Sequence, residues 1–339
     1  MRSAEFSVIV LNWNGEPFLE KCLGSLQRQS LRNFEVILVD NGSTDSSVEF
    51  VTNHFPQLTV VPLPKNLGFC GGNNEGIKRS GGKWIILLNN DTEVVPEFLN
   101  AIHQATQTHS DAGMFACKML FADSPSVIEN CGFAVSPAGT AQEIGRGEVN
   151  RGQYGPDLEP FGPSGGAAVY SRAMLDKIGL LDDDFFLIYE DFDLAMRARL
   201  QGFRCRFVPE AVVFHKYRSS LAKLPDWQVF YSQRNVEFVY LKNMPTPLLL
   251  RHGLSHLLYD VGGLLYFARK GLLRPFVSAK LEVLRQLPRV RRKRRNIQAN
   301  RTVSSAQFKA LLRGKWFSGR LKKFVRFDAS LRRRERQDT

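Results

Sequence analysis

A chain of 339 residues that is 43% hydrophobic and 23% charged is long enough for two structural regions and too apolar for wholesale disorder. Its net charge of +13 hides a division: residues 1–215 carry 17 Lys and Arg against 26 Asp and Glu, and residues 216–339 carry 29 against 7. A uniformly basic chain would suggest nucleic acid, whereas an acidic body with a basic tail argues for a catalytic domain held near an anionic surface.

In chain order, the apolar run Phe6–Leu11 predicts a buried strand. Phe18, Cys22, Leu23 and Leu26 fall at helical spacing, so 17–27 reads as an amphipathic helix. Val36–Val39 is a second strand, running into the turn cluster Asp40–Asp45. Thr59–Leu63 and Trp84–Leu88 continue the strand pattern, and Pro96 opens a helix through His103. Between them Asn66–Gly76 holds four glycines in nine residues, Gly68, Gly71, Gly72 and Gly76, and reads as a loop that lets a ligand approach closely. No Gly-Lys-Ser/Thr follows it, so it is not a phosphate-binding P-loop.

Strands alternating with helices predict an α/β sandwich around a mostly parallel central sheet. The boundary is expected between His215 and Trp227, giving a catalytic domain over 1–220 and a basic helical region over 221–339. In that region Leu250, Leu254, Leu257, Leu258, Val261, Leu264, Leu265 and Ala268 form one apolar stripe. Basic runs follow at Arg289–Arg295 and at Arg332–Arg334. The cysteines, Cys22, Cys70, Cys117, Cys131 and Cys205, are odd in number and form no CxxC pair, which favours free thiols in a reducing cytosol. The opening apolar stretch is too short for a secretory signal, and no run reaches the roughly 18 apolar residues of a spanning helix.

Ligands of parallel α/β sheets gather beyond the carboxyl ends of the strands. Here those ends carry Asn12–Asn14, Asp40 and Asn89–Asp91. Asp91 after an apolar strand can hold Mg²⁺ or Mn²⁺ against a diphosphate, or simply cap a turn. Glu190 and Asp191 open a short helix that stops at Gly202; that position suits a general base, and equally suits dipole complementarity alone. Gly165-Gly166 precedes an apolar strand and permits close approach. A lone histidine such as His215 is more often structural, yet beside Lys216, Tyr217, Arg218, Ser219 and Ser220 it can complete a metal–diphosphate site.

Together these segments resemble glycosyltransferase family 2, the inverting enzymes of the GT-A fold, and within it the bacterial rhamnosyltransferase-like group. The resemblance spans roughly residues 5–243 and runs in family order through SVIVLNWNG, VDNGSTD, NLGFCGGNNEG, LLNNDTEV, PSGGAAVYSR, YEDFDLAMR, the strand ending at His215, and Gln233-Arg234-Asn235. It implies a nucleotide-sugar donor, dTDP- or UDP-linked, and a glycan or lipid-linked acceptor in cell-surface polysaccharide synthesis. Asn12, Asn14 and Asp40 would hold base and ribose; Asn66, Gly68, Asn73 and Asn90 would shape the donor pocket. Asp91 and His215 would ligate the divalent metal. Asp191 would be the catalytic base, with Glu190, Gly165 and Gly166 lining the acceptor side. The family's Asp-x-Asp motif has Asn89 at its first position here, which leaves the coordination set open.

Without a signal or a spanning run the protein is expected to be cytoplasmic or peripheral on the cytoplasmic face of the inner membrane, and the apolar stripe with its basic clusters has the composition of a helix lying on anionic lipid. A helical subdomain with a solvated basic end is the other reading of the tail. No aromatic-interleaved motif supports nucleic acid as a partner. A nucleotidyltransferase would need a basic, glycine-rich signature near the N-terminus, which SVIVLNWNG lacks. A non-catalytic nucleotide- or glycan-binding protein of the same fold would not need Asp40, Asp91, Asp191 and His215 together.

Overall fold

The computed structural model describes residues 4–216 and 226–313. They divide into two compact units, one drawn from 4–133, 143–216 and 295–303, the other from 134–142, 226–294 and 304–313. Each unit thus takes more than one stretch of chain. Tyr217–Ser220 and the run Arg332–Arg334 lie outside the described residues.

The first unit is built on β1 (Phe6–Asn12), whose side chains alternate between two buried faces as a strand's must. Phe6, Val8 and Val10 join Leu19, Cys22, Leu23 and Leu26 of α1 (Glu16–Gln27) and Phe98, Leu99 and Ile102 of α4 (Phe98–Thr108) in one core. β2 (Phe34–Asp40) and β4 (Trp84–Asn89) flank β1 in parallel, and β3 (Thr59–Pro62) extends the set beyond β2 after α2 (Ser47–His54). The register sets Asn12 beside Asp40 and Leu11 beside Asn89, so the polar strand ends are level.

The glycine-rich segment is not the loop its composition suggested but helix α3 (Gly68–Arg79). Glycine disfavours helices in isolation; here packing overrides propensity. Gly68, Gly72 and Gly76 are four apart and form one bare stripe. A Cβ on Gly72 would lie 2.4 Å from Leu11 Cδ1, and one on Gly76 2.6 Å from Ile9 Cγ2. Gly72 and Gly76 let the helix backbone settle on the second face of β1, while Gly68 faces Phe186.

Beyond β4 the sheet continues through β10 (Ala167–Ser171), antiparallel to both β4 and β6 (Ala112–Phe121). β11 (Arg204–His215) runs parallel to β6 with a register shift between Val208 and Val212. The short strands β5 (Thr92–Val94) and β7 (Ser124–Asn130) pair antiparallel with β11 and β6. The parallel pairings form the framework, and the antiparallel ones come from β10 and these edge pieces. β8 (Phe133–Val135) and β9 (Ala141–Glu143) form a separate ribbon. Helices α5 (Arg172–Ile178) and α6 (Glu190–Leu200) follow β10. All five cysteines are free and buried, and burial raises the Cys22 thiol to about 12.

The second unit holds α7 (Asp226–Asn243), α8 (Thr246–Arg269), most of α9 (Leu273–Asn300) and α10 (Ser305–Ala310). Among the described residues no helix is long and apolar enough to cross a membrane.

Candidate active site

The carboxyl ends of β1, β2 and β4 are wired to one another by side chains. Asn12 is fully buried, and its amide nitrogen donates to Asp40 Oδ1 (3.1 Å) and Ser43 Oγ (3.3 Å). Its amide oxygen accepts from Asn90 Nδ2 at 2.7 Å. Asp40 also accepts from the Ser43 N–H (3.0 Å). Asn14, in the left-handed region at φ 50°, accepts the Thr44 N–H at 2.7 Å and so pins the turn after β2 to the turn after β1. Gly15 is required beside this cluster, since a Cβ there would meet Asn90 Nδ2 at 2.0 Å. Asn12 and Asn14 thus hold the site's shape, while Asp40 is the acid they position.

Asn66 accepts from Asn41 Nδ2 (3.0 Å) and from the Gly68 N–H (2.7 Å), and Asn41 Oδ1 accepts the Leu67 N–H (2.9 Å). Asn41 is a buried residue that sequence reasoning passed over, although it directly follows Asp40. Asn73 is buried in α3 and donates to Phe69 O (2.9 Å). Its neighbour Asn74, also passed over, donates to Leu181 O and to Asp183 Oδ1, both at 2.8 Å, tying α3 to the segment that leads to Asp191.

At the far side of β4, Asp91 Oδ1 lies 3.1 Å from His215 Nε2. The pairing of β5 with β11 brings them together, for Thr92 stands opposite His215 and the Lys216 N–H donates to Asp91 O. The other ring nitrogen, Nδ1, lies 2.8 Å from Glu129 Oε2, a buried carboxylate on β7. Nothing in the sequence announced Glu129, because the β7–β6–β11 pairing alone carries it to His215. Burial lowers the imidazole pKa, but the hydrogen bonds to Asp91 and Glu129 outweigh it and raise the value to about 9. A carboxylate and an imidazole nitrogen side by side, with a second carboxylate fixing the ring, fit a hard divalent cation that keeps its remaining positions for water and phosphate.

A different trio, Glu237, His256 and Asp260 in the helical unit, also has ligand atoms within 4.8 Å of one another. There the Lys280 ammonium already supplies the cation, 2.5 Å from Glu237 Oε1 and 2.8 Å from Asp260 Oδ1.

Asp191 is half-buried at the start of α6. Its Oδ2 accepts the Gly165 N–H (2.8 Å) and its Oδ1 the Phe192 N–H (2.7 Å). Burial raises its pKa, and those two hydrogen bonds oppose the rise. Glu190 is buried, with no partner for Oε2, and burial followed by the Asp191 charge pushes its carboxyl up. Gly165 leaves room beside both acids, and Gly166 O accepts the Asn89 N–H (3.0 Å), which links this corner to the end of β4.

The chain enters α6 under strain. Phe186, Ile188 and Tyr189 have φ of 62°, 66° and 73°, each costing about 1–3 kcal/mol for a non-glycine residue. At Phe186 a three-residue turn closes through the Leu187 N–H to Phe185 O (2.7 Å). What holds it is α3: Cys70 N–H donates to Phe186 O, and a Cβ on Gly68 would stand 2.6 Å from that same oxygen. Gly68, at φ 73°, therefore serves the segment that leads into Asp191 directly.

Residues 7–179 match the model of the family described as Glycosyl transferase family 2. The chain is 26% identical over 239 residues to an N-acetylglucosaminyl-diphospho-decaprenol L-rhamnosyltransferase of Mycobacterium tuberculosis, spanning 64% of this chain and 78% of that one. It is 27% identical over 222 residues to an uncharacterized glycosyltransferase of Bacillus subtilis, YwdF, spanning 63% and 74%. Among solved structures, S. aureus TarS 1-349 in complex with UDP-GlcNAc aligns at TM-score 0.52 and 19% identity, over 83% of this chain and 92% of that one. GalNAc-T7 with UDP, GalNAc and Mn²⁺ aligns at TM-score 0.57 and 16% identity, over 71% and 48%. At such identities the structures establish a shared fold, the GT-A sandwich.

Proposed function

The chain belongs to glycosyltransferase family 2, and from that premise we propose that it transfers rhamnose, with inversion, from a dTDP- or UDP-linked donor to a hydroxyl of a lipid-linked glycan. The observation that carries the reading is the gathering of Asp40, Asp91, His215 and Asp191 at one end of a single sheet, each held by named partners. The rhamnosyltransferase relative, named for a lipid-linked substrate, supports the sugar and the acceptor class. Such an acceptor puts the reaction on the cytoplasmic face of the inner membrane, as part of cell-surface polysaccharide synthesis.

Asp40 would accept from the nucleotide base, in a position fixed by Asn12 and Ser43. Asp91 and His215 would hold Mg²⁺ or Mn²⁺, which when bound supplies positive charge against the departing diphosphate. Asp191 takes the proton from the acceptor hydroxyl as that oxygen forms its bond to the anomeric carbon. The bond from that carbon to the diphosphate oxygen breaks on the opposite face, so the centre inverts and one base suffices. Two backbone N–H groups keep Asp191 aimed, and Glu190, held neutral by burial and by Asp191, lines the acceptor side as a hydrogen-bond donor.

The reading is tested by thermal-shift titration with dTDP, UDP, GDP and ADP, each with and without Mn²⁺. A metal-dependent stabilisation by dTDP or UDP that is lost in Asp91→Asn is the expected result. No shift with any nucleotide, in protein shown to be folded, overturns the donor-site assignment and favours a non-catalytic binding protein.

A further inference from the structure

Beside an apolar core that includes Val236, Phe238, Phe276 and Phe308, the helical unit encloses charge and exposes leucine. Its interior holds the charged set Glu237, His256, Asp260 and Lys280, with His256 stacked on Tyr240 at 3.8 Å. Its surface holds leucines. On α8, Leu250, Leu254, Leu257, Leu258, Val261, Leu264 and Leu265 are all exposed, and on α9 so are Leu273, Val277, Leu281 and Leu284. The exposures reach 74% at Leu250 and 65% at Leu284, so these side chains are open rather than grazed by solvent.

The two stripes lie on one side of a hairpin. α8 and α9 run antiparallel, fixed by Asp260 against Lys280 (2.8 Å), Gly263 against Phe276 and Phe267 against Phe276 (ring centroids 5.7 Å apart). At about 100° of rotation per residue, the exposed stripe lies roughly 130° from that contact line on α8 and roughly 75° on α9. Both rotations have the same sense, and the helices point oppositely, so both stripes turn to the same side. Eleven large aliphatic side chains then form one band, well beyond the contiguous apolar surface that a soluble monomer leaves open.

The band is edged with arginine. On the same wheel, Arg251 and Arg269 follow its outer margin on α8, and Arg274, Arg285 and Arg292 its outer margin on α9; all five are exposed. Residues 226–294 carry 13 Lys and Arg against 4 Asp and Glu. Asp260 and Glu237 among those acids are turned inward to Lys280. A protein partner of matching shape would need only the apolar band. Arginines on both margins match an anionic bilayer, where aliphatic side chains enter the acyl boundary and guanidinium groups reach back to phosphate.

We propose that the α8–α9 hairpin is a monotopic docking face for anionic phospholipid, burying the eleven-residue band in the outer part of one leaflet. The inference rests on the proposed lipid-linked acceptor only for its purpose, and its test does not use transfer. The full chain is floated with vesicles of phosphatidylcholine alone or with phosphatidylglycerol added, and the same is done for Leu254→Asp/Leu258→Asp/Leu265→Asp and for Arg269→Glu/Arg274→Glu. Circular dichroism and nucleotide binding show whether each variant is folded, and light scattering reports its oligomeric state. The expected result is flotation with the anionic vesicles, reduced about tenfold or more by the leucine changes, and weakened by both the charge reversals and by salt. Undiminished flotation of the folded leucine variant overturns the proposal and assigns binding to another segment. A dimer that the leucine changes dissociate, with no flotation of the wild type, overturns it in favour of a second copy. Loss of nucleotide binding by the wild type instead would strike the donor site and leave this surface standing.

Discussion

The sheet unit and the helical unit solve opposite problems with the same residue types. In the sheet unit apolar side chains are buried on both faces of β1, and polar ones collect at the strand ends, where Asn12, Asp40 and Asn90 satisfy one another. The helical unit has an apolar core too, at Val236, Phe238, Phe276 and Phe308, but it adds a charged network beside that core and leaves a band of leucines facing out. Burial therefore has different meanings in the two. Polar groups at the strand ends hold one another in place around the candidate site, whereas those of the helical unit tie α7, α8 and α9 together through Lys280.

The contrast can be broken at several points, beginning with the largest effect. Asp191→Asn is expected to lower turnover by about 10²–10⁴-fold while nucleotide binding persists, since only proton removal is lost. Single-turnover transfer beside a binding titration measures both. Next come the leucines. Leu38→Ala, in β2 and with no exposed surface, should cost about 2–5 kcal/mol in urea unfolding, whereas Leu258→Ala on α8 should stay within about 0.5 kcal/mol. Equal losses would mean that the α8 face is covered in solution.

Glycines should split the same way. Gly76→Ala drives a methyl into Ile9 and Val39 and is expected to lose about 1–3 kcal/mol. Gly262→Ala on α8 meets nothing within 4 Å and should gain up to about 1 kcal/mol. The last effect depends on pH and concerns Glu190. Its folded pKa is raised by burial and then by Asp191, so its contribution to stability is full below the ordinary glutamate range and is lost as pH rises through the folded value. Glu190→Gln should therefore gain on the wild type as pH climbs from about 5 to about 8. Parallel denaturation curves across that range would show instead that Glu190 titrates as in water.

Much of the site was legible because its residues sit directly after apolar runs that can only be strands. Asp40 and Asp91 were found that way, and the start of α6 marked Glu190 and Asp191. Glu129 was not legible, since its partner is 86 positions away and only the sheet pairing joins them. The strain at Phe186, Ile188 and Tyr189 was equally hidden, because nothing in those residue types asks for positive φ. The glycine-rich segment misled for a related reason: composition reports what a backbone is free to do, not what packs against it.

By itself the sequence determined the alternation of strand and helix, the polar strand ends, the split in charge and the leucine stripe of α8, all of which follow from local periodicity. Only the tertiary structure decided that Gly72 and Gly76 face β1 while Gly68 faces Phe186, that Glu129 orients His215, and that the stripes of α8 and α9 share one side. Each of these depends on which distant backbone approaches, and that is set by the packing of the whole unit rather than by any window of residues.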